Sequence, residues 1–185
     1  MTSDQVENNS QKVLCNIGAV ANYFIDRSRK DHVALTNLSM QKLVYFAYGW
    51  IMGYTNERLF YDRIEAWRHG PVVPSLYHQL KQYGHNQISR KLVDYDYDKK
   101  EFFSWNIRKE TALRKMMRKV WNRYKALPPQ AMTALTHKLG TPWSETVARS
   151  GYNAEISDEL IFNHFSEILI KLNLKDDVKP ARPTI

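Results

Sequence analysis

Residues 35–83 read LTNLSMQKLVYFAYGWIMGYTNERLFYDRIEAWRHGPVVPSLYHQLKQY, and this stretch sets the fold class. It holds Tyr45, Phe46, Tyr48, Trp50, Tyr54, Phe60, Tyr61, Trp67, Tyr77 and Tyr83, a density of aromatic side chains that marks a core. Thr36 or Asn37 supplies an N-cap, and the spacing predicts a helix over 38–53. Leu38, Leu43, Val44, Phe46, Ala47, Trp50 and Ile51 cover more than one face, so that helix is expected to be buried on several sides. Gly53 stands where a terminating glycine would, followed by a TNER turn. From Leu59 to His69 the pattern turns extended, with Ile64, Ala66 and Arg68 alternating against Arg63, Glu65 and Trp67. Gly70-Pro71 breaks it, Pro74 opens a further helix at its first turn, and Gly84 closes that helix.

Outward from this stretch the rest of the chain is also helical. Ile17, Val20, Ala21, Phe24 and Ile25 recur at helical spacing behind Asn16 as cap. Between His85 and Trp105, Asp94, Asp96 and Asp98 alternate with Tyr95 and Tyr97, which favours an exposed strand or loop. Leu113, Met116, Met117, Val120, Trp121 and Tyr124 form the apolar stripe of the next helix, stopped by Pro128-Pro129. Two short helices are expected over 130–139 and 142–149, then a last one from Ser157 with Asp158 and Glu159 at its positive end. The expected fold is mainly α, a compact single-domain bundle of about six to eight helices with a small extended or β-hairpin element around 59–72. Residues 1–12 and 175–185 are expected to be flexible termini around a domain spanning 13–174.

A chain of 185 residues, 43% hydrophobic and 25% charged, builds one buried core and needs no second domain. No apolar run reaches the roughly 18 residues of a membrane span. The polar N-terminus lacks a signal-peptide pattern, and a lone Cys15 builds no disulfide framework, so a cytoplasmic protein without a membrane partner is expected. The net charge of +8 is unevenly spread. Arg108, Lys109, Arg114, Lys115, Arg118, Lys119, Arg123 and Lys125 face one acid, Glu110, so this segment carries 8 − 1 = +7.

Catalytic devices are absent from the sequence patterns. There is no HExxH, Cys15 has no companion, and Gly84 interrupts the helix between His78 and His85, so neither a metal nor another cofactor is expected. Ser75 and Ser144 sit near helix starts, where capping explains them, and no GxSxG elbow or phosphate-binding glycine loop exists. Asp62 and Glu65 beside Arg63, Arg68 and His69 read as an acid–base site or as an ion-pair network. The expectation is a protein that is not an enzyme. In the basic helix, Arg114, Lys115, Arg118 and Lys119 are placed to contact nucleic-acid phosphates or a partner, or to form a solvated face.

The motifs VANYFI at 20–25, LTNLSMQKLVYFAYGW at 35–50, LFYDRIEAWRHGPVVPSLYHQLKQYG at 59–84 and LTHKLGTPW at 135–143, in this order, resemble the Panacea domain family. Its members are also described as SocA-like or phage-associated GepA-like proteins. The resemblance covers about Ile17 to Leu172 and implies a mainly helical domain that works by binding protein. It implies an antitoxin that neutralises a protein toxin encoded nearby, or an adaptor that delivers the toxin to a ClpXP-type protease. Gln41, Lys42, Tyr45, Trp50, Glu65, Trp67, Gly70, Pro71, Val72, Pro74 and Tyr77 match the central motif, and His137, Pro142 and Trp143 the later one. These residues serve as the protein-binding surface or as the frame of the fold. The segment between His85 and Met132 departs most from the family pattern.

Overall fold

A computed structural model describes residues 13–109 and 111–172. The expectations for 1–12 and 175–185 concern residues outside that range. In chain order the elements are α1 (Ile17–Asp31), α2 (Asn37–Thr55), β1 (Glu65–Trp67), β2 (Gly70–Val72) and α3 (Pro74–Leu80). There follow β3 (Asp94–Asp96), β4 (Glu101–Phe103), α4 (Ala112–Tyr124), α5 (Pro129–Thr136), α6 (Pro142–Ser150) and α7 (Asp158–Lys171). The molecule is a mainly α bundle with two small antiparallel hairpins.

Asn16 and Thr36 cap their helices as the sequence indicates, and Thr141 and Ser157 do the same for two later ones; each side chain accepts a backbone N–H at the helix start. Thr111, which no sequence pattern singled out, caps another in the same way. Pro74, Pro129 and Pro142 take first-turn positions, where their missing N–H leaves no bond unmade.

The central element is α2, packed against α1, α3, α4, α5 and α7. Of its nineteen residues only Leu38, Trp50, Tyr54 and Thr55 escape full burial, as its all-round apolar pattern requires. Gly53 does not end it; the helix runs to Thr55 and is closed by Asn56 in a left-handed conformation. Gly49 and Gly53 lie one turn apart and form the groove in which α7 rests. A Cβ on Gly49 would overlap the Phe165 ring, and one on Gly53 would come 2.9 Å from the Phe165 carbonyl carbon and the Ser166 nitrogen. The Ser166 hydroxyl donates to the Gly53 carbonyl at 3.2 Å, so the two backbones are bridged directly.

On the opposite side, Phe46 stacks on Tyr124 with centroids 4.1 Å apart, and Trp121 is fully buried beside Phe24. The Trp121 indole N–H donates to Asp31 at 2.8 Å, joining α4 to the end of α1. The irregular stretch after α3 is held by a buried amide. Asn22 donates to the carbonyls of Leu92 and Trp105 and accepts from the Leu92 N–H. Such a clip satisfies backbone groups that no regular element would pair.

Candidate functional site

The first hairpin is the place where the motif residues meet. Ala66 sends both its backbone groups away from β2: its N–H donates to Ala154 and its carbonyl accepts from Asn153. Ala66 and its partner Pro71 therefore form a non-hydrogen-bonded pair, a position where proline loses nothing. The Ile156 N–H donates to Ile64, so residues 153–156 cover the outer edge of β1 as a third strand-like segment. Nothing in the sequence alternation at 153–156 indicated this pairing.

The other edge is covered by side chains of α2. The Lys42 ammonium donates to the Pro71 carbonyl at 2.9 Å, and the Gln41 side-chain carbonyl accepts the Val73 N–H at 2.9 Å. Gln41 also donates to Asn37 at 3.2 Å, which fixes its amide. Gly70 sits above this pair with φ +98°, and a Cβ there would stand 2.8 Å from both Lys42 Nζ and Thr136 Oγ1. Only glycine combines that backbone angle with that approach. Lys42 is 0% exposed, and desolvation pushes its amine down to about 7. An amine near neutrality is chemically capable of nucleophilic work, but this one is sealed beneath Gly70.

Above the hairpin the aromatic residues interlock. The Trp143 indole donates to the Trp67 carbonyl at 2.8 Å, and the His137 ring stacks on Trp143 at 3.8 Å. Burial, then the charges of Lys42 and His69, lower the His137 imidazole below its usual range. The Trp67 indole donates to one Glu65 oxygen at 2.7 Å while Arg63 holds the other at 2.8 Å. Glu65 is thus committed to an ion-pair arrangement. Trp67 meets Tyr77 edge-on at 4.9 Å, and both rings remain half-buried. Arg63, Arg68, His69 and His78 are exposed around them.

Gln41, Lys42, Glu65, Trp67, Gly70, Pro71, Val72, Tyr77, His137 and Trp143 therefore gather at one end of the molecule, with Pro74 and Pro142 opening the helices that flank it. Two motif residues lie elsewhere. Tyr45 is buried against Phe46 and Phe165, with its hydroxyl pKa raised by burial. Trp50 donates to the Tyr124 hydroxyl at 3.0 Å under the Arg123 guanidinium. It borders an apolar groove that also includes Leu135, Leu139 and Ile168. Arg114, Lys115, Arg118 and Lys119 lie on α4; the first three line a cleft with Tyr23, Arg27 and Thr111, and Lys119 stands outside it. The roles of Arg27, Arg68 and His69 went unassigned in the motif, although their charges were legible. Among the described residues, no three His, Cys, Asp or Glu side chains are grouped to hold a metal. No described helix is long and apolar enough to cross a membrane.

Comparison with known proteins agrees with the motif order. The family described as "Antitoxin SocA-like, Panacea domain" matches residues 40–144. This range takes in all but the first three residues of α2 and the whole first hairpin. A curated relative, Antitoxin SocA of Caulobacter vibrioides, is 24% identical over 174 residues, covering 90% of this chain and 93% of its own. No solved structure matches.

Proposed function

The chain belongs to the SocA-like Panacea family of antitoxins, and on that premise we propose that it binds and neutralises a protein toxin encoded beside it. It does so without catalysis, in the cytoplasm. The observation that carries this reading is the construction of the motif end. Buried Gln41, Lys42, Gly70 and Trp143 fix the hairpin, while Trp67, Tyr77, Arg63, Arg68 and His69 present its outer side. Tryptophan, tyrosine and arginine on a rigid base are the residues that dominate protein interfaces. Sequestration is the simplest consequence of such a surface. Delivery of the bound toxin to a ClpXP-type protease is the second reading, supported by the adaptor branch that the family resemblance implies.

The test is co-expression with each neighbouring gene product, followed by co-purification. A toxin that kills alone and is tolerated with this chain is expected. The double substitution Trp67→Ala and Arg68→Ala should abolish both protection and capture while leaving the melting curve cooperative. If Leu139→Asp alone breaks the complex, the interface is the apolar groove and not the hairpin. If neither neighbour is toxic or bound, the antitoxin reading fails. Toxin half-life with and without the protease separates the two modes: unchanged turnover leaves sequestration.

A further inference from the structure

The cleft between α1 and the first turns of α4 is lined by Tyr23, Arg27, Thr111, Arg114, Lys115 and Arg118, and encloses about 170 Å³. Helical spacing explains the α4 side: Arg118 lies one turn beyond the adjacent pair Arg114 and Lys115, at i+4 and i+3, so the three border one flank. The α1 side contributes Arg27 one turn after Tyr23. The charges do not cancel. Arg27 pairs with Asp31 at 3.1 Å, and Asp31 is shared with Lys125 at 2.8 Å and the Trp121 indole. The next acid on α1, Asp26, is paired with Lys91 at 2.8 Å. Arg114 uses one nitrogen on the Ile107 carbonyl at 2.9 Å and lies over the Tyr23 ring at 5.3 Å, which leaves its charge uncompensated. Lys115 and Arg118 are exposed and have no carboxylate partner among the described residues. Three uncompensated cations, the Tyr23 hydroxyl and a helix N-terminus thus surround one small polar space.

We propose that this cleft is a phosphate-binding site, taking the oxyanion of a phosphate monoester or of a phosphodiester backbone. The space has room for several waters and opens to solvent, so a tetrahedral oxyanion seats in it while the remainder of an ester or a backbone stays outside. A single carboxylate would neutralise one of the three cations. A phosphate offers more charge and more acceptors, and guanidinium forks match it in geometry. The positive end of α4 adds to the same field. The site is independent of the hairpin surface, so its success or failure leaves the toxin reading untouched.

The test is calorimetric titration of the full chain with inorganic phosphate, comparing two double variants of the same helix. Lys115→Ala with Arg118→Ala removes two cleft cations; Lys119→Ala with Arg123→Ala removes the same charge outside the cleft. All four side chains are exposed, so both variants should unfold cooperatively, the outer pair slightly lower because Arg123 also lies over the Trp50 ring. The cleft pair should weaken phosphate binding about tenfold, and the outer pair should leave it unchanged. A short DNA duplex then identifies the source. If it displaces phosphate, and only the cleft pair weakens it, the ligand is a phosphodiester backbone. If it does not compete, the site serves a free phosphate or small phosphate ester. Absence of phosphate binding overturns the proposal. Equal weakening by the two pairs also overturns it, because the effect would then be the diffuse field of a basic helix.

Discussion

Substituting Lys42 by Met tests how the hairpin is held. The methionine keeps the length of the side chain and removes the buried amine. In the folded protein burial lowers that amine from 10.5 to about 7. Below pH 7 it is protonated in both states, and the full cost of burying the charge is present. Between pH 7 and 10.5 the unfolded chain binds more protons than the folded one, so stability rises with pH. From pH 7 to pH 9 the gain is about 2 kcal/mol, from 1.36 kcal/mol per unit acting over most of that interval. For a chain of this size that is a rise in Tm of about 4–8 °C. Cys15, pushed up to about 12 by burial, acts in the opposite direction above pH 9 in both chains alike, so absolute Tm values are compared only up to that pH. The assay is thermal unfolding of wild type and Lys42→Met across pH 7–9, read as the difference in slope. Groups common to both chains cancel. The wild type should gain Tm steadily over the variant as pH rises. Parallel slopes would refute the reasoning, because they would mean that the amine titrates equally in both states. A second readout is the His137 imidazole, whose pKa should rise in the variant once the neighbouring charge is gone.

Other consequences are open to direct measurement. Gly53→Ala should lower stability by about 3 kcal/mol in a urea melt, because the new methyl meets α7 backbone that cannot turn aside. Gly140→Ala, which faces open space at φ +78°, should cost only about 1 kcal/mol; equal effects would contradict the close approach of α2 and α7. Asp31→Asn should lower Tm at neutral pH by weakening the junction of α1 and α4. The Lys125 and Trp121 hydrogen bonds hold the Asp31 carboxyl at about 2 against an ordinary 3.8, so its contribution is present above 3.8 and lost as pH falls through about 2. The gap between variant and wild type should therefore close between pH 4 and pH 2, and a constant gap would contradict the assignment.

Much of this architecture was legible because its signals are local. A cap such as Asn16, an N1 proline such as Pro74 and the stripe from Leu113 to Tyr124 act within one or two turns, so the sequence carries them intact. Gly53 misled for the same reason. A glycine near the end of an apolar run looks like a stop, whereas its use is set by Phe165 and Ser166, more than a hundred residues away. The edge pairing of residues 153–156 onto β1 is equally non-local and leaves no alternation to read. At the motif end, the residue identities were legible but their division of labour was not. Lys42 follows Gln41 in an apolar helix, and nothing in that order says that its ammonium ends under Gly70. The basic helix divided in the same way: its charge was plain, but only α1 decides that Arg118 faces a cleft and Lys119 does not.

The glycine groove on α2 also has a bearing on how the chain is made. Its occupant, α7, is the last helix described, and the Gly53–Ser166 and Tyr48–Asp158 hydrogen bonds span 113 and 110 residues. During synthesis α2 emerges long before the segment that closes it, so its bare glycine face waits on the ribosome for most of the chain to follow. Unfinished chains that stop short of α7 are therefore expected to be sticky and short-lived. Completion of α7 is thus the step at which the α2 groove closes and the bundle becomes whole.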